Sequence, residues 1–218
     1  MNIKAVKDIL KLNRDFYQSV SKEFSLTRQR PWEGWDRAVE TVLKYQGKDR
    51  EDVSVLDIGC GNGRFYDFIS KKIKSVNYTG IDINNDFINE AKQKYKEAKF
   101  IKQDIFKYLD KVEGKYDVVC AFGVTHHIPD DSFRSQWFSI LPNLLNDKGI
   151  LVLTFWNFKE KSGDYYLTRK DKDVTRYCHQ YSEEELNTII EMYKKYNLKL
   201  TDKYTSDKEN IYLIFGNI

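Results

Sequence analysis

Apolar positions near the start of the chain recur at helical intervals. Ile3, Val6, Ile9 and Leu10, then Phe16 and Tyr17, share one face of an amphipathic helix over residues 3–20. A second helix follows Pro31-Trp32 and carries Trp35, Ala38, Val39, Val42 and Leu43. Proline suits a helix start, where its missing N–H has no intrahelical partner. The period then shortens. Val53–Ile58 is a brief apolar run that closes in a glycine cluster, the pattern of a buried strand. Residues 64–72 read as a helix, and Val76–Ile81 as a second strand ending at Asp82. Asn84–Glu97 places Phe87, Ile88, Ala91 and Tyr95 on one helical face. Ala98–Ile101 is a third strand followed by Asp104, Tyr116–Phe122 a fourth, Phe133–Leu145 a helix and Gly149–Trp156 a fifth strand. A polar, aromatic-rich insertion runs from 157 to about 180. Ser182 then reads as an N-cap before Glu183, Glu184 and Glu185, whose charges favour a helix N-terminus. That helix continues through Leu186, Ile189, Ile190 and Tyr193, and strands near 197–204 and 210–216 close the chain.

Strands alternating with helices imply βαβ units with right-handed crossovers. The expected fold class is α/β: a Rossmann-like seven-stranded sheet, mostly parallel with an antiparallel last strand, and helices on both faces. One domain over residues 1–218 is expected, with a helical cap over 1–50 and a core over 51–218 that carries the insertion. No internal repeat is visible.

Composition narrows the class only a little. The net charge of +3 is too mild to announce a nucleic-acid binder, although a local basic face remains compatible with it. Cys60, Cys120 and Cys178 are odd in number and form no CxxC pair, so buried reduced thiols are expected, with no disulfide framework and no metal site. The first residues mix charge with apolar side chains, unlike a signal peptide, and no run approaches a membrane span. A cytoplasmic protein without membrane contact is therefore expected.

The sharpest chemical signal is Leu56-Asp-Ile-Gly-Cys-Gly-Asn-Gly-Arg64, a strand running into Gly59, Gly61 and Gly63 and then into a helix. Glycines there allow a tight turn and close backbone approach to a ligand. Their G-x-G-x-G spacing departs from the G-x-G-x-x-G of dinucleotide sites. Asp57 precedes the loop, where a pyrophosphate would be repelled and a cationic amino group would find a partner. Asp82 ends the second strand, where a carboxylate can accept ribose hydroxyls. Asp104 stands where a side chain can read an adenine amino group, with Ile83 and Ile105 on either side of the base. The set resembles the donor site of class I S-adenosylmethionine-dependent methyltransferases, in which Phe122 and His126 would complete the wall.

Four further stretches resemble the tRNA wobble-uridine carboxymethyl methyltransferases, which esterify 5-carboxymethyluridine. Phe24-Ser-Leu-Thr-Arg28 with Pro31-Trp32 is similar to that family's F-S-x-T-R…P-W segment, with Glu33 where the family has a second proline. Val124-Thr-His-His127 resembles V-L-H-H, with Thr125 in place of leucine. Phe155-Trp156 resembles the end of the family's fifth strand, and Arg176-Tyr-Cys-His179 with Tyr181 and Glu184-Glu-Leu186 its R-Y-Y-H-x-F…E-L stretch. The resemblance implies S-adenosylmethionine as cofactor, a tRNA anticodon loop as partner, and a small zinc-binding activator subunit.

A carboxylate acceptor is ionised at pH 7, its unperturbed pKa being about 4, so it needs orientation more than a base. Arg28 and Arg176 are the candidates to hold it, because guanidinium forks match carboxylates. His127 is a third catalytic candidate, and Trp32, Trp156, Tyr177 and His179 are candidate substrate contacts. Tyr165, Tyr166 and Phe158 add aromatic surface on which a base can stack. Two other functions fit the same scaffold: a small-molecule O- or N-methyltransferase, and a cofactor-binding protein without catalysis, against which the intact acidic residues and glycine loop argue.

Overall fold

The computed structural model describes residues 3–47, 52–107 and 109–217. In chain order these form α1 (Ile3–Thr27), α2 (Gly34–Gln46), β1 (Asp52–Ile58), α3 (Arg64–Ile69), β2 (Ser75–Asp82), α4 (Asn85–Lys94), β3 (Lys99–Lys102) and β4 (Tyr116–Ala121). There follow α5 (Asp131–Ile140), β5 (Leu145–Trp156), β6 (Gly163–Arg169), β7 (Val174–Gln180), α6 (Glu183–Lys194), β8 (Lys199–Ser206) and β9 (Asn210–Gly216). The expected cap–core boundary at 50–51 lies outside the described residues.

Seven strands hydrogen-bond in the order β3-β2-β1-β4-β5-β9-β8. β1 to β5 are mutually parallel, and β9, the last strand, inserts antiparallel between β5 and β8. Side chains alternate across the sheet because successive Cβ atoms point to opposite faces. Leu56 and Ile58 of β1, Leu151, Leu153 and Phe155 of β5, and Leu213 and Phe215 of β9 meet Trp137, Phe138, Leu186 and Tyr193 of α5 and α6. Val53, Val55, Ile150, Val152, Tyr212 and Ile214 point the other way, onto Trp35, Val39, Phe65 and Ile88 of α2, α3 and α4. Helices therefore cover both faces, as the near-continuous apolar strands require.

Three differences from the sequence expectation have physical causes. α1 runs on to Thr27 rather than stopping near 20, because its buried face continues through Ser21 and Ser25. Ser21 Oγ donates to Asp86 Oδ2 at 2.6 Å, so a small polar residue docks where an apolar count sees a break. α5 ends at Ile140 and passes into a 3₁₀ turn at Leu141–Leu144, where Pro142 has no N–H to continue the helix. The polar insertion is a β-hairpin: β6 and β7 pair antiparallel as a separate two-stranded sheet.

Two polar devices hold the connections. Asp207, in the β8–β9 turn, accepts the backbone N–H groups of Glu33 (2.6 Å) and Gly34 (3.2 Å), capping α2 from a distant part of the chain. Ser182 and Glu185 form a reciprocal capping box at α6: Ser182 Oγ accepts Glu185 N–H at 3.1 Å, and Glu185 Oε2 accepts Ser182 N–H at 2.8 Å. Ser182→Ala is expected to destabilise the protein by about 1 kcal/mol, measured as a lower urea midpoint with an unchanged slope; an unchanged midpoint would show that the box contributes nothing.

Candidate active site

β1 is flanked by β2 on one side and β4 on the other, so strand order reverses there and a crevice opens at the strands' C-terminal ends. A cavity of about 1340 Å³ occupies it. Of the residues expected to hold the donor, Asp57, Gly59, Gly61, Asp82, Ile83, Asp104, Ile105, Phe122 and His126 all line this cavity. Gly59 sits at φ +75, and a Cβ there would lie 2.3 Å from Val124 Cγ2. Gly61 sits at φ +55 with nothing within 4 Å of the Cβ position, so its bare backbone borders open space. Gly63 is placed differently. It lies outside the cavity lining, and a Cβ on it would strike the Phe100 ring at 2.9 Å, so this glycine serves packing beneath the loop.

Asp82 braces the loop. Its Oδ2 accepts Gly61 N–H at 2.9 Å and its Oδ1 accepts Asn84 N–H at 2.8 Å. Burial raises its pKa, and these backbone bonds counter the rise. Asp57 accepts Tyr78 Oη–H at 2.5 Å and faces the Cys120 thiol at 3.6 Å. Burial pushes its pKa up to about 7, against the lowering effect of both hydrogen bonds.

The same cavity brings together Arg28, Trp32, Trp156, Arg176 and His127, which come from distant parts of the sequence. Arg28 packs over the Phe24 ring with its guanidinium carbon 3.8 Å from the centroid. Arg176 lies over Trp156 at 5.1 Å and Phe16 at 5.2 Å, and donates to Tyr17 Oη at 2.9 Å. His127 stands behind Tyr17. Its Nδ1 lies 3.0 Å from the Tyr177 carbonyl and must donate there, so Nε2 accepts Tyr17 Oη–H at 2.7 Å. Burial first, then Arg176, depress its pKa to about 3. With both nitrogens committed and the ring neutral, His127 orients Tyr17 and has no free nitrogen for proton transfer. His126 is also held neutral, by burial first and then by its neighbours His127 and Arg176, and among the described residues its Nδ1 is buried without a partner. His126, His127 and Cys178 bring potential ligand atoms within 4.8 Å of one another, but the His127 nitrogens already serve the chain just described.

Tyr177 and His179 are turned away from the cavity. Strand alternation explains this: Arg176 faces the cavity, so its neighbour along β7 points to the opposite side. Tyr177 is fully buried and donates to Asp164 Oδ1 at 2.6 Å. His179 Nδ1 lies 2.6 Å from Asp164 Oδ1 and its Nε2 2.8 Å from Glu185 Oε1, which ties the hairpin to the start of α6. Three site residues escaped the sequence reading. Asn13 and Tyr17 sit on the buried face of α1, where an aromatic residue reads as core. Arg64 follows the glycine loop, and nothing in the spacing distinguishes it from a surface arginine.

A seven-stranded sheet of this order, with a glycine loop and two strand-end carboxylates around one crevice, is that of a class I S-adenosylmethionine-dependent methyltransferase. The chain belongs to the methyltransferase-domain family, whose pattern matches residues 49–212. It is similar to a putative methyltransferase of Encephalitozoon cuniculi (strain GB-M1), 27% identical over 206 residues and covering 88% of this chain and 90% of the relative. It is also similar to the tRNA (guanine-N(7)-)-methyltransferase of Prochlorococcus marinus (strain MIT 9215), 26% identical over 160 residues, 63% of this chain and 77% of the other. Its fold matches magnesium protoporphyrin IX methyltransferase from Synechocystis PCC 6803 with bound S-adenosylmethionine, at a TM-score of 0.65 and 19% identity over 94% of this chain and 95% of that one. The protein is an S-adenosylmethionine-dependent methyltransferase. Among the described residues, no helix is long and apolar enough to cross a membrane.

The Asp57 shift sets a pH dependence. A cationic amino group placed against Asp57 favours its ionised form, so the carboxyl pKa in the complex falls below the free value of about 7. Above that pH no proton need leave and affinity is full. Below it, binding must expel a proton, and affinity falls about tenfold per unit. Calorimetry with S-adenosylhomocysteine from pH 8 to pH 6 should show this loss, and Asp57→Asn should flatten it. A flat wild-type profile would remove the ammonium from Asp57.

Proposed function

We propose that the protein transfers a methyl group to a carboxylate oxygen, and that the carboxylate is that of 5-carboxymethyluridine at the wobble position of a tRNA anticodon loop. The observation that carries this reading is Arg176, a guanidinium pinned by Tyr17 above Trp156, with Arg28 lining the same cavity. Neither arginine has a carboxylate partner among the described residues, so both are free to take an anion from outside. A guanidinium holding one carboxylate oxygen leaves the other free to attack. When bound, S-adenosylmethionine supplies an electrophilic methyl on its sulfonium. The chain's own contribution is alignment: Arg28 and Arg176 orient the acid, the Trp156–Phe158 stack at 4.3 Å offers a flat wall for a pyrimidine, and the neutral histidines add no competing charge.

The resemblance in Phe24–Arg28, Pro31-Trp32 and Arg176–His179 favours the tRNA acceptor, and a relative named for a tRNA activity agrees in class. A small zinc-binding activator subunit belongs to the same reading. The second reading is a small-molecule acid. It is favoured by α1, which roofs the cavity with Val6, Leu10 and Tyr17, and by a structural neighbour named for a porphyrin substrate.

Labelled donor, bulk tRNA from cells lacking the modification and digestion to nucleosides separate the two. Label is expected in a base-labile methyl ester of carboxymethyluridine, with the chain alone or with the activator; label confined to small acids would overturn the tRNA assignment. Arg176→Met is expected to lower kcat/KM about 100-fold while leaving S-adenosylhomocysteine affinity within about twofold. Normal transfer by that variant would remove Arg176 from the acceptor site.

A further inference from the structure

The two adjacent histidines of the cavity wall meet a cysteine that the proposed transfer does not use. Cys178, on β7, is fully buried, and its Sγ lies 3.9 Å from His127 Nδ1. His126 stands beside His127 with ring centroids 4.1 Å apart. One ring nitrogen from each histidine and the thiol sulfur lie within 4.8 Å of one another. His126 is 5% exposed, and among the described residues its Nδ1 has no hydrogen-bond partner. That ring can therefore turn toward the thiol without giving up a bond at Nδ1. Both histidines line the cavity, which gives a small ion a path to them. Cys178 stands where the R-Y-Y-H stretch of the wobble-uridine methyltransferases has tyrosine, so the cluster is a property of this chain and not of that family.

Two imidazoles and a thiolate are a donor set for zinc-like ions. Around a tetrahedral ion, with metal–sulfur about 2.3 Å and metal–nitrogen about 2.0 Å, sulfur and nitrogen stand about 3.6 Å apart. The 3.9 Å between Cys178 and His127 has only a few tenths of an ångström to close. We propose that His126, His127 and Cys178 bind a thiophilic divalent cation of the zinc and cadmium class, and that its arrival frees Arg176 from Tyr17. The thiol proton leaves to solvent as the sulfur–metal bond forms. His127 Nδ1 gives up its proton to make room for the ion and Nε2 takes one up, so the ring stays neutral as its other tautomer. Nε2–H then points at Tyr17 Oη, and the Tyr17 proton, displaced from that line, is turned toward Arg176, whose own N–H donates there. Arg176 acts electrostatically on all three ligands, and a divalent ion outweighs one thiolate, so repulsion drives the guanidinium the same way. Ion binding is independent of the acceptor; its consequence for transfer rests on Arg176 holding the acid.

Cadmium titration of the intact, reduced chain reads the thiolate directly through the ultraviolet cadmium–sulfur charge-transfer band. A band that saturates at stoichiometric cadmium is expected. Cys178→Ala is expected to abolish it and Cys60→Ala and Cys120→Ala to keep it, while His126→Phe weakens cadmium affinity roughly tenfold or more. No band in the wild-type chain, or a band that survives Cys178→Ala, would overturn the site. Unchanged affinity in His126→Phe would reduce it to a lone thiol and overturn it as well. The switch is read without any variant, from ring-nitrogen magnetic resonance of the wild-type chain labelled at its three histidines. Zinc is expected to move the His127 pattern from Nδ1–H to Nε2–H, and an unmoved pattern would overturn the release of Arg176. A chain that binds cadmium in this way but methylates no tRNA would reject the acceptor assignment and leave the metal site standing.

Discussion

Arg28, Arg64 and Arg176 line one walled cavity, and among the described residues no carboxylate makes an ion pair with any of them; the arrangement of the site follows from that constraint. Burial lowers the pKa of Arg28 and of Arg64, and like charge adds to it: Arg176 acts on Arg28, and Arg28 on Arg64. The folded chain offsets this with aromatic faces, each worth about 0.5–2 kcal/mol: Phe24 under Arg28, Trp32 and Trp35 beside Arg64, Phe16 and Trp156 beside Arg176. Aromatic rings hold a cation without satisfying its hydrogen-bond donors. The forks therefore keep donors open to an anion.

The sheet supplies the distances between these groups. Because β1 lies at the point where strand order reverses, its C-terminal turn opens into space rather than against a crossover helix. The Gly59 and Cys60 amides both donate to the Ile81 carbonyl, at 2.8 and 3.0 Å, which ties the loop to β2. Asp82 then closes on the Gly61 amide from the same strand. The donor side is thus built from local backbone. The proposed acceptor side is built from long-range contacts between α1, the 3₁₀ turn at Thr125–His127, and β7.

That difference explains what could be read from the sequence. Asp57, Gly59, Gly61, Asp82 and Asp104 were legible because each sits at or just past the end of a short apolar run that marks a buried strand. Arg28 and Arg176 come from opposite ends of the chain and were legible only through family resemblance. Tyr17 and Asn13 were invisible because an aromatic and a small amide on the inner stripe of an amphipathic helix look like packing. Tyr177 and His179 lie outside the cavity lining for a geometric reason: a motif names consecutive residues, but a strand sends them to opposite faces. The hairpin itself was missed because exposed Tyr166 and the charged residues around it weaken the alternation that marks a buried strand.

A hydrogen-bond chain stands behind Arg176 and fixes its orientation. The Tyr177 carbonyl can only accept, so His127 must carry its proton on Nδ1. Nε2 is then an acceptor, and the Tyr17 hydroxyl points its proton at it, which turns the Tyr17 lone pairs toward Arg176. Protonating His127 would reverse the second link, because Nε2–H and Tyr17 Oη–H would compete for the same line. With its pKa depressed to about 3 by burial and then by Arg176, the ring is neutral at pH 7. The cation that lowers this pKa is the same one that the chain positions. Asn13 completes the arrangement from α1, accepting the Tyr177 N–H at 2.7 Å and so fixing the strand that carries the carbonyl. Arg176 is thus oriented through Tyr17, whose hydroxyl direction follows from the His127 tautomer that the Tyr177 carbonyl favours.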